Sequence, residues 1–504
     1  MVCRLIETRH KEFSGRYHSS PATIEKRPST DEFDPRPIVM SIASTGETTR
    51  RPQAQSGSGL KARDNTTNFV YIAQVYLIMI GTIAATIWSY SAVADAGLAW
   101  WWNIPATFVA ILIIGASQHQ LGGIIHEGTH YILFADRKLN ELASDWLGAF
   151  PIYTSTHAFR LHHLSHHQFV NDPTRDPNME QGHASGHWLD FPIAHIDFLV
   201  AILKQLNPLR LISYIVARAK YSALGAGSNP YTNPDKPGSP WAIRWGVLFM
   251  VLMPFVQVVL IALGVLGYAD RGLMTGIALA VLVAGWAAAT VYYLVIPNEA
   301  YAESRIEPVI SHRVTTISRI TYLTILFGAL TLTEYYTQAP VWGYYGLLWV
   351  LPLFLTFPLF MVLREWIQHG NADRGRYTNS RIFIVNPVLR YAVFPFGMDY
   401  HLPHHINASV PHYRLKDFHA YLMDRDKKYA AQALVVEGWK QDEDELRPPG
   451  IVDVLGPKYT PRGNKVHIDN DTLIEADVND KAAIAAHVEA SRADGTQDSK
   501  ESSK

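Results

Sequence analysis

Six stretches of the chain are apolar enough, and long enough, to cross a bilayer as helices. A hydrocarbon core takes about 20 residues of helix. Phe69–Val93, Trp100–Gly123, Trp245–Tyr268, Thr275–Ile296, Ile317–Tyr336 and Trp342–Leu363 each supply that length. Trp100, Trp101 and Trp102 open the second run, as an aromatic belt at a membrane interface would. The fifth run is the weakest; were the fifth and sixth a re-entrant pair, four spans would remain with the same sidedness. The pattern predicts an all-α integral membrane protein of four to six transmembrane helices. Residues 124–240 hold no comparable run and read as a polar insertion with interfacial helices. Residues 364–445 read as a second polar region.

Charge gives the helices a direction. With the N-terminus inside, the outer loops are 94–99, 269–274 and 337–341, where only Arg271 is basic. The inner segments carry Lys61, Arg63, Arg137, Lys138, Arg160, Lys204, Arg210, Arg218, Lys220, Arg305, Arg313 and Arg364. This is the positive-inside asymmetry. It predicts a helical cap on the cytoplasmic side, with both termini cytoplasmic.

The 504 residues are 48% hydrophobic with a net charge of −1, and polar ends dilute the apolar middle. Residues 1–66 are rich in Arg, Ser, Thr and Pro and read as a disordered extension. Met40 reads as the true start, which would make residues 1–39 a misassigned leader. Residues 67–430 form the expected membrane domain, and 431–504 a charged, mostly disordered tail. The near-zero net charge and the lack of a zinc-finger or phosphate-loop pattern exclude nucleic acid as an expected partner. A single cysteine, Cys3, rules out an intramolecular disulfide and cysteine-held metal centres.

The chemistry lies in histidines. His126 and His130 stand four apart just past the second run. His163, His166 and His167 form His-x-x-His-His, and His401, His404 and His405 repeat it. His369 follows Glu365 by four residues. Imidazole is largely neutral at pH 7 and free to bind a transition metal. Residues three or four apart on a helix share a face, with Cβ atoms about 5–6 Å apart. Nine such ligands exceed the about four that one zinc takes, so two metals are the economical count. Imidazole ligation suits iron with positions left open to oxygen.

The ring nitrogens turned away from metal need acceptors. Glu127, Asp172, Asp176, Glu365 and Asp399 lie near enough in sequence to serve. His162, Glu365 and Asp399 are expected around the ligands rather than among them, although His162 is equally an alternative ligand. His119, His157, His183, His187, His195, His312, His412 and His419 read as structural or interfacial. Arg160 and Arg364 are either head-group contacts or ordinary positive-inside residues.

Two other readings compete. His126-Glu127-Gly128-Thr129-His130 matches the His-Glu-x-x-His of an intramembrane zinc protease, but no later span carries an acidic ligand motif and seven histidines would be left over. A metal transporter would place its ligands within spans near mid-bilayer, whereas these clusters lie outside the apolar runs.

The three boxes, their order and their placement around paired spans resemble the membrane fatty acid desaturase family. His163-x-x-His166-His167, followed by Asn171 and Asp176-Pro177, is similar to the second box of bacterial acyl-lipid members. Tyr400-His401-Leu402-Pro403-His404-His405 and Ser409-Val410-Pro411-His412-Tyr413-Arg414-Leu415 resemble the third box and the stretch after it. His369 matches a ninth ligand that related enzymes place before the third box. The resemblance covers about residues 67–425. The chain departs from the common pattern at Met398, Asp399, Pro403 and Ile406-Asn407-Ala408.

The resemblance implies a non-haem di-iron site with His126, His130, His163, His166, His167, His369, His401, His404 and His405 as ligands. It implies O2 as co-substrate and desaturation of a long acyl chain, presented as an acyl lipid or acyl thioester among membrane lipids. The alternative for this chain is the same di-iron centre acting as a hydroxylase, ketolase or olefin-forming decarboxylase on a fatty acid or carotenoid. No His-Pro-Gly-Gly haem signature or ferredoxin cysteine set is present. An external donor is therefore implied: ferredoxin, rubredoxin or cytochrome b5 with its reductase.

Overall fold

The computed structural model describes residues 57–224, 229–441 and 447–460. Met40 and the expected leader, the acidic run within 442–446, and the chain from 461 onward lie outside the described residues.

In chain order the helices that matter are α1 (Thr67–Asp95), α2 (Asn103–Thr129), α3 (Thr156–Gln168), α4 (Pro177–Ser185), α5 (His195–Gln205) and α6 (Pro208–Leu224). They are followed by α7 (Pro240–Val265), α8 (Arg271–Val295), α9 (His312–Thr337), α10 (Thr356–His369) and α11 (His401–Ile406). Their starts follow from local chemistry. Ser239 caps α7 by accepting from Trp241 N, with Pro240 in the first turn. Asp270 accepts from Leu273 N at the head of α8, and Ser311 from Val314 N at the head of α9. Such side-chain oxygens satisfy N–H groups that the helix itself leaves free.

Six helices are long and apolar enough to cross a membrane, with mean hydropathy from 1.3 to 2.6 over their best windows. By length and composition these are the upper end of the four to six expected. The last of them, Val341–His369, is a single 29-residue candidate span that ends in α10. It is broken locally by a π turn at Gly346–Val350 and by Pro352, where regular helical bonding cannot continue. Leu77, Trp88, Phe255, Val295 and Ile325 project from the spans into the surroundings. Hydrocarbon, not water, suits such a surface.

The interior belongs to α2, which is buried almost without interruption from Ile114 to Thr129. It touches α10 closely: a Cβ at Gly115 would overlap Thr356, whose hydroxyl donates to the Ile111 carbonyl at 2.7 Å. Only glycine admits that approach.

Two segments differ from the sequence reading. Within the insertion, α5 and α6 are apolar enough together to pass as one broken span, bent by 82°. Lys204, Asn207, Pro208 and Arg210 interrupt the apolar run there and hide it. Over the described residues between 431 and 460, where the composition predicts the start of a tail, the chain stays packed. Val435–Glu437 pairs in parallel with Ile382–Ile384, Ile382 opposite Val435. Val436, Val454 and Leu455 are fully buried. The charged residues between these short apolar pieces dominate the composition and obscure them.

Candidate metal centre

The carboxyl end of α2 presents the first pair. His126 lies in the last turn and His130 is the residue just past it, φ −88° and ψ 7°. Gly128 between them has no room for a side chain, because a Cβ would overlap Ser144. The carbonyls of Gly128 and Thr129 accept from Arg160 Nη2 and Nε, both at 2.9 Å. The same guanidinium is bidentate to Glu141 at 2.7 Å and lies 4.1 Å over the Tyr131 ring. Arg160 is thus neither a head-group contact nor a membrane-facing cation. It is a fully buried clamp on the helix that carries His126 and His130.

The second cluster sits on α3, whose 13 residues place His163 and His167 on one face and His166 beside it. α3 ends at Gln168, and Asn171 then takes a left-handed φ of 59°. Asp176 begins α4 by accepting from Asn178 N, and also accepts from Asn171 N at 2.9 Å. The third cluster lies on the short α11, and His369 is the last residue of α10. A second buried arginine serves that helix end: Arg381 donates to the carbonyls of Ile367 and Asn371 at 2.9 Å.

Folding sorts the nine histidines into two groups. His126, His130, His163, His167 and His404 bring one ring nitrogen each within 4.8 Å of one another, and so do His166, His369, His401 and His405. All nine are buried. The groups adjoin, with the His167 and His405 rings stacked at 4.4 Å. Each group therefore mixes boxes far apart in sequence.

The ring nitrogens test whether cations fit. His167 Nε2 lies 3.0 Å from His163 Nε2 and 3.1 Å from His404 Nε2. His401 Nε2 lies 2.9 Å from His369 Nε2 and 3.0 Å from His405 Nε2. An imidazole nitrogen offers one proton or one lone pair, so it satisfies one such neighbour and not two. Nitrogens held at about 2.1 Å from one metal and at right angles stand about 3.0 Å apart. His126 Nε2 is, moreover, buried with no hydrogen-bond partner among the described residues. The donor set fits two imidazole-bound transition metals.

Electrostatics agree. Burial, with neighbouring histidines adding to it, holds His163, His167, His401, His404 and His405 well below the usual imidazole pKa. They are neutral at pH 7, the form that ligates. His166 differs. Burial disfavours its charge, yet Asp176 outweighs burial and its pKa is raised.

The surroundings settle which neighbours orient which rings. Asp176 accepts from His166 Nδ1 at 2.9 Å, and the Asn379 carbonyl faces His369 Nδ1 at 3.1 Å. Both leave Nε2 turned inward. His162 lies outside both groups; its Nε2 meets Asn178 Oδ1 at 2.8 Å, and Asn178 donates to Glu365 at 3.2 Å. Burial and nearby Arg218 push His162 down to about 3. Asp399, expected beside the ligands, instead ion-pairs with Arg390 at 2.9 Å. Asp172 holds Arg175 and Arg374. Glu127 accepts from His412 N at 3.0 Å.

The remaining histidines among the described residues have ordinary partners. His119 meets the Ala392 carbonyl, His157 Ser304, His187 the Ser185 carbonyl, His195 Trp439, His412 Asn68 and His419 Tyr429. His312 packs on His157, and His183 on Trp188. Sequence reasoning missed Asn178, Asn379 and Arg381, which carry no motif signal of their own. It also misread Arg160, whose buried role depends on Glu141.

A multi-pass helical membrane protein with nine buried histidines in two adjoining groups is the class that fold and site define. The fatty acid desaturase family model matches residues 99–335 and 321–434. The chain belongs to that family. It is 29% identical over 124 residues to dihydrorhizobitoxine desaturase of Bradyrhizobium elkanii, covering 24% of this chain and 32% of that protein. It is 35% identical over 69 residues to a Delta(5) fatty acid desaturase of Caenorhabditis elegans, covering 14% of this chain and 15% of that one. The matched stretch thus spans about a third of the first relative and less of the second.

Proposed function

We propose that this chain is a membrane oxidoreductase that uses two iron ions and O2 to desaturate an acyl chain. The sorting of nine histidines into a five and an adjoining four carries the reading. His126, His130, His163, His167 and His404 would hold one ion, and His166, His369, His401 and His405 the other. When bound, the pair of irons supplies activation of O2 and the removal of two hydrogens from neighbouring methylenes.

The chain's own residues prepare that chemistry. Asp176 and the Asn379 carbonyl take the Nδ1 protons of His166 and His369, so each ring offers Nε2. Arg160 and Arg381 fix the ends of α2 and α10, where His126, His130 and His369 sit. Burial keeps bulk water away from the rings. The working unit would run from Thr67 to Leu455. The boxes would face the cytoplasm, as the basic inner loops favour. Two electrons per turnover would come from a separate ferredoxin, rubredoxin or cytochrome b5, since one cysteine cannot hold an iron–sulfur cluster.

The test is metal analysis with product analysis. The purified chain should bind two irons, and lipids of a host lacking unsaturated chains should gain a product two hydrogens lighter. A product heavier by one oxygen would establish hydroxylation instead. His404→Ala should abolish turnover and lower iron content; unchanged iron and rate would remove His404 from the site.

A further inference from the structure

A cavity opens on both histidine groups, and two guanidinium groups stand in its wall. His126 and His163 line it from one group and His166 from the other, together with Arg218 of α6 and Arg364 of α10. Both are part-buried, and neither is matched as the fully buried Arg160 and Arg381 are. Arg160 has Glu141, and Arg381 has two carbonyls. Arg218 donates to the neutral Gln181 at 3.3 Å. Arg364 Nε is buried with no hydrogen-bond partner among the described residues. Glu365 is the acid in the cavity wall, and it accepts from Asn178. One carboxylate thus stands against two guanidinium groups, before any metal adds charge.

Even partial burial of an unmatched cation carries a cost, and an anion offsets it. The guanidinium fork matches a carboxylate in shape and hydrogen-bond geometry. We propose that Arg218 and Arg364 hold the carboxylate of the substrate, which enters as a free acid and is oxidised near its carboxyl end. This rests on the desaturase reading above. An ester or a thioester carries no charge at that carbon and gains at most a hydrogen bond from the pair, without the charge pairing. Because the same cavity is walled by His126, His163 and His166, the carbons next to a seated carboxylate are the ones that face the histidine groups.

The test is equilibrium binding of hexanoate and of neutral hexanamide to the purified full chain, with metal content measured in every sample. Hexanoate should bind, hexanamide at least about tenfold more weakly, and Arg364→Gln and Arg218→Gln should each cost hexanoate about tenfold or more at unchanged metal content. Arg364→Lys should restore part of the loss. Equal binding of acid and amide would overturn the proposal. So would hexanoate binding that survives both substitutions, which would mean that it sits on the metals. Phosphate or acetate binding as tightly as hexanoate would reduce the pair to a general oxyanion site and would overturn it equally. Absence of metal from every sample would instead count against the desaturase reading.

Discussion

At Asp176 one carboxylate accepts from the backbone N–H groups of Asn171 and Asn178 and from His166 Nδ1. It joins the end of the second box to the start of α4 and aims a ring at the same time. On the di-iron reading proposed above, Asp176→Ala should weaken iron binding by the four-histidine group about 10–100-fold, read as loss of one iron on titration with a chelator. His412→Ala, whose ring meets Asn68, should keep both irons. Asp145 offers a pH signature away from the rings. Burial raises its pKa from 3.8 to about 6, although its Oδ1 accepts from Thr156 N at 2.8 Å. The folded state therefore favours the protonated form. Its contribution to stability is greatest below pH 4 and is lost as pH rises to about 6, on the order of 3 kcal/mol at neutral pH. The difference in thermal stability between the native chain and Asp145→Asn should show that slope between pH 4 and 6; a flat difference would mean that Asp145 is not buried so deeply.

At the scale of elements, the helix ends bear the site, and two arginines bind those ends. Breaking the Arg160–Glu141 pair on one side leaves a buried charge. Arg160→Met alone should cost about 3–5 kcal/mol, and adding Glu141→Met should recover most of it. A thermal melt of both variants in detergent checks this. Gly128→Ala should cost about 1–3 kcal/mol through the Ser144 overlap, and Ser144→Gly in the same chain should relieve it. The nine clustered histidines and six apolar runs were readable from sequence because both signals are local: spacings of three and four, and 20 apolar residues together. The acid that serves each ring was not. Asp172 and Asp176 look alike in sequence, and only the turn at Asn171 points one at His166 and the other at Arg374. Arg160 and Glu141 lie 19 residues apart, so their match appears only once α3 lies against the Arg137–Ser144 helix. The bent pair α5–α6 escaped because its apolar face is interleaved with basic residues.

At the scale of the molecule, the described first part of the segment expected as tail packs into the core. A chain ending at Leu434 would lose Val436, Val452, Val454 and Leu455, all buried, at roughly 1.5–3 kcal/mol for each large side chain. It should fail to yield a monodisperse peak on size exclusion, whereas the full chain should give one. The grouping of the histidines also has a consequence for biogenesis. One group is complete only with His404 and the other only with His405. A ribosome adds about 5–20 residues per second, so His126 waits many seconds before either nest closes. Neither can be loaded ahead of its neighbour during translation. On the two-ion reading proposed above, both ions would have to arrive after the third box is made, and a nascent chain stalled before that box holds neither nest complete.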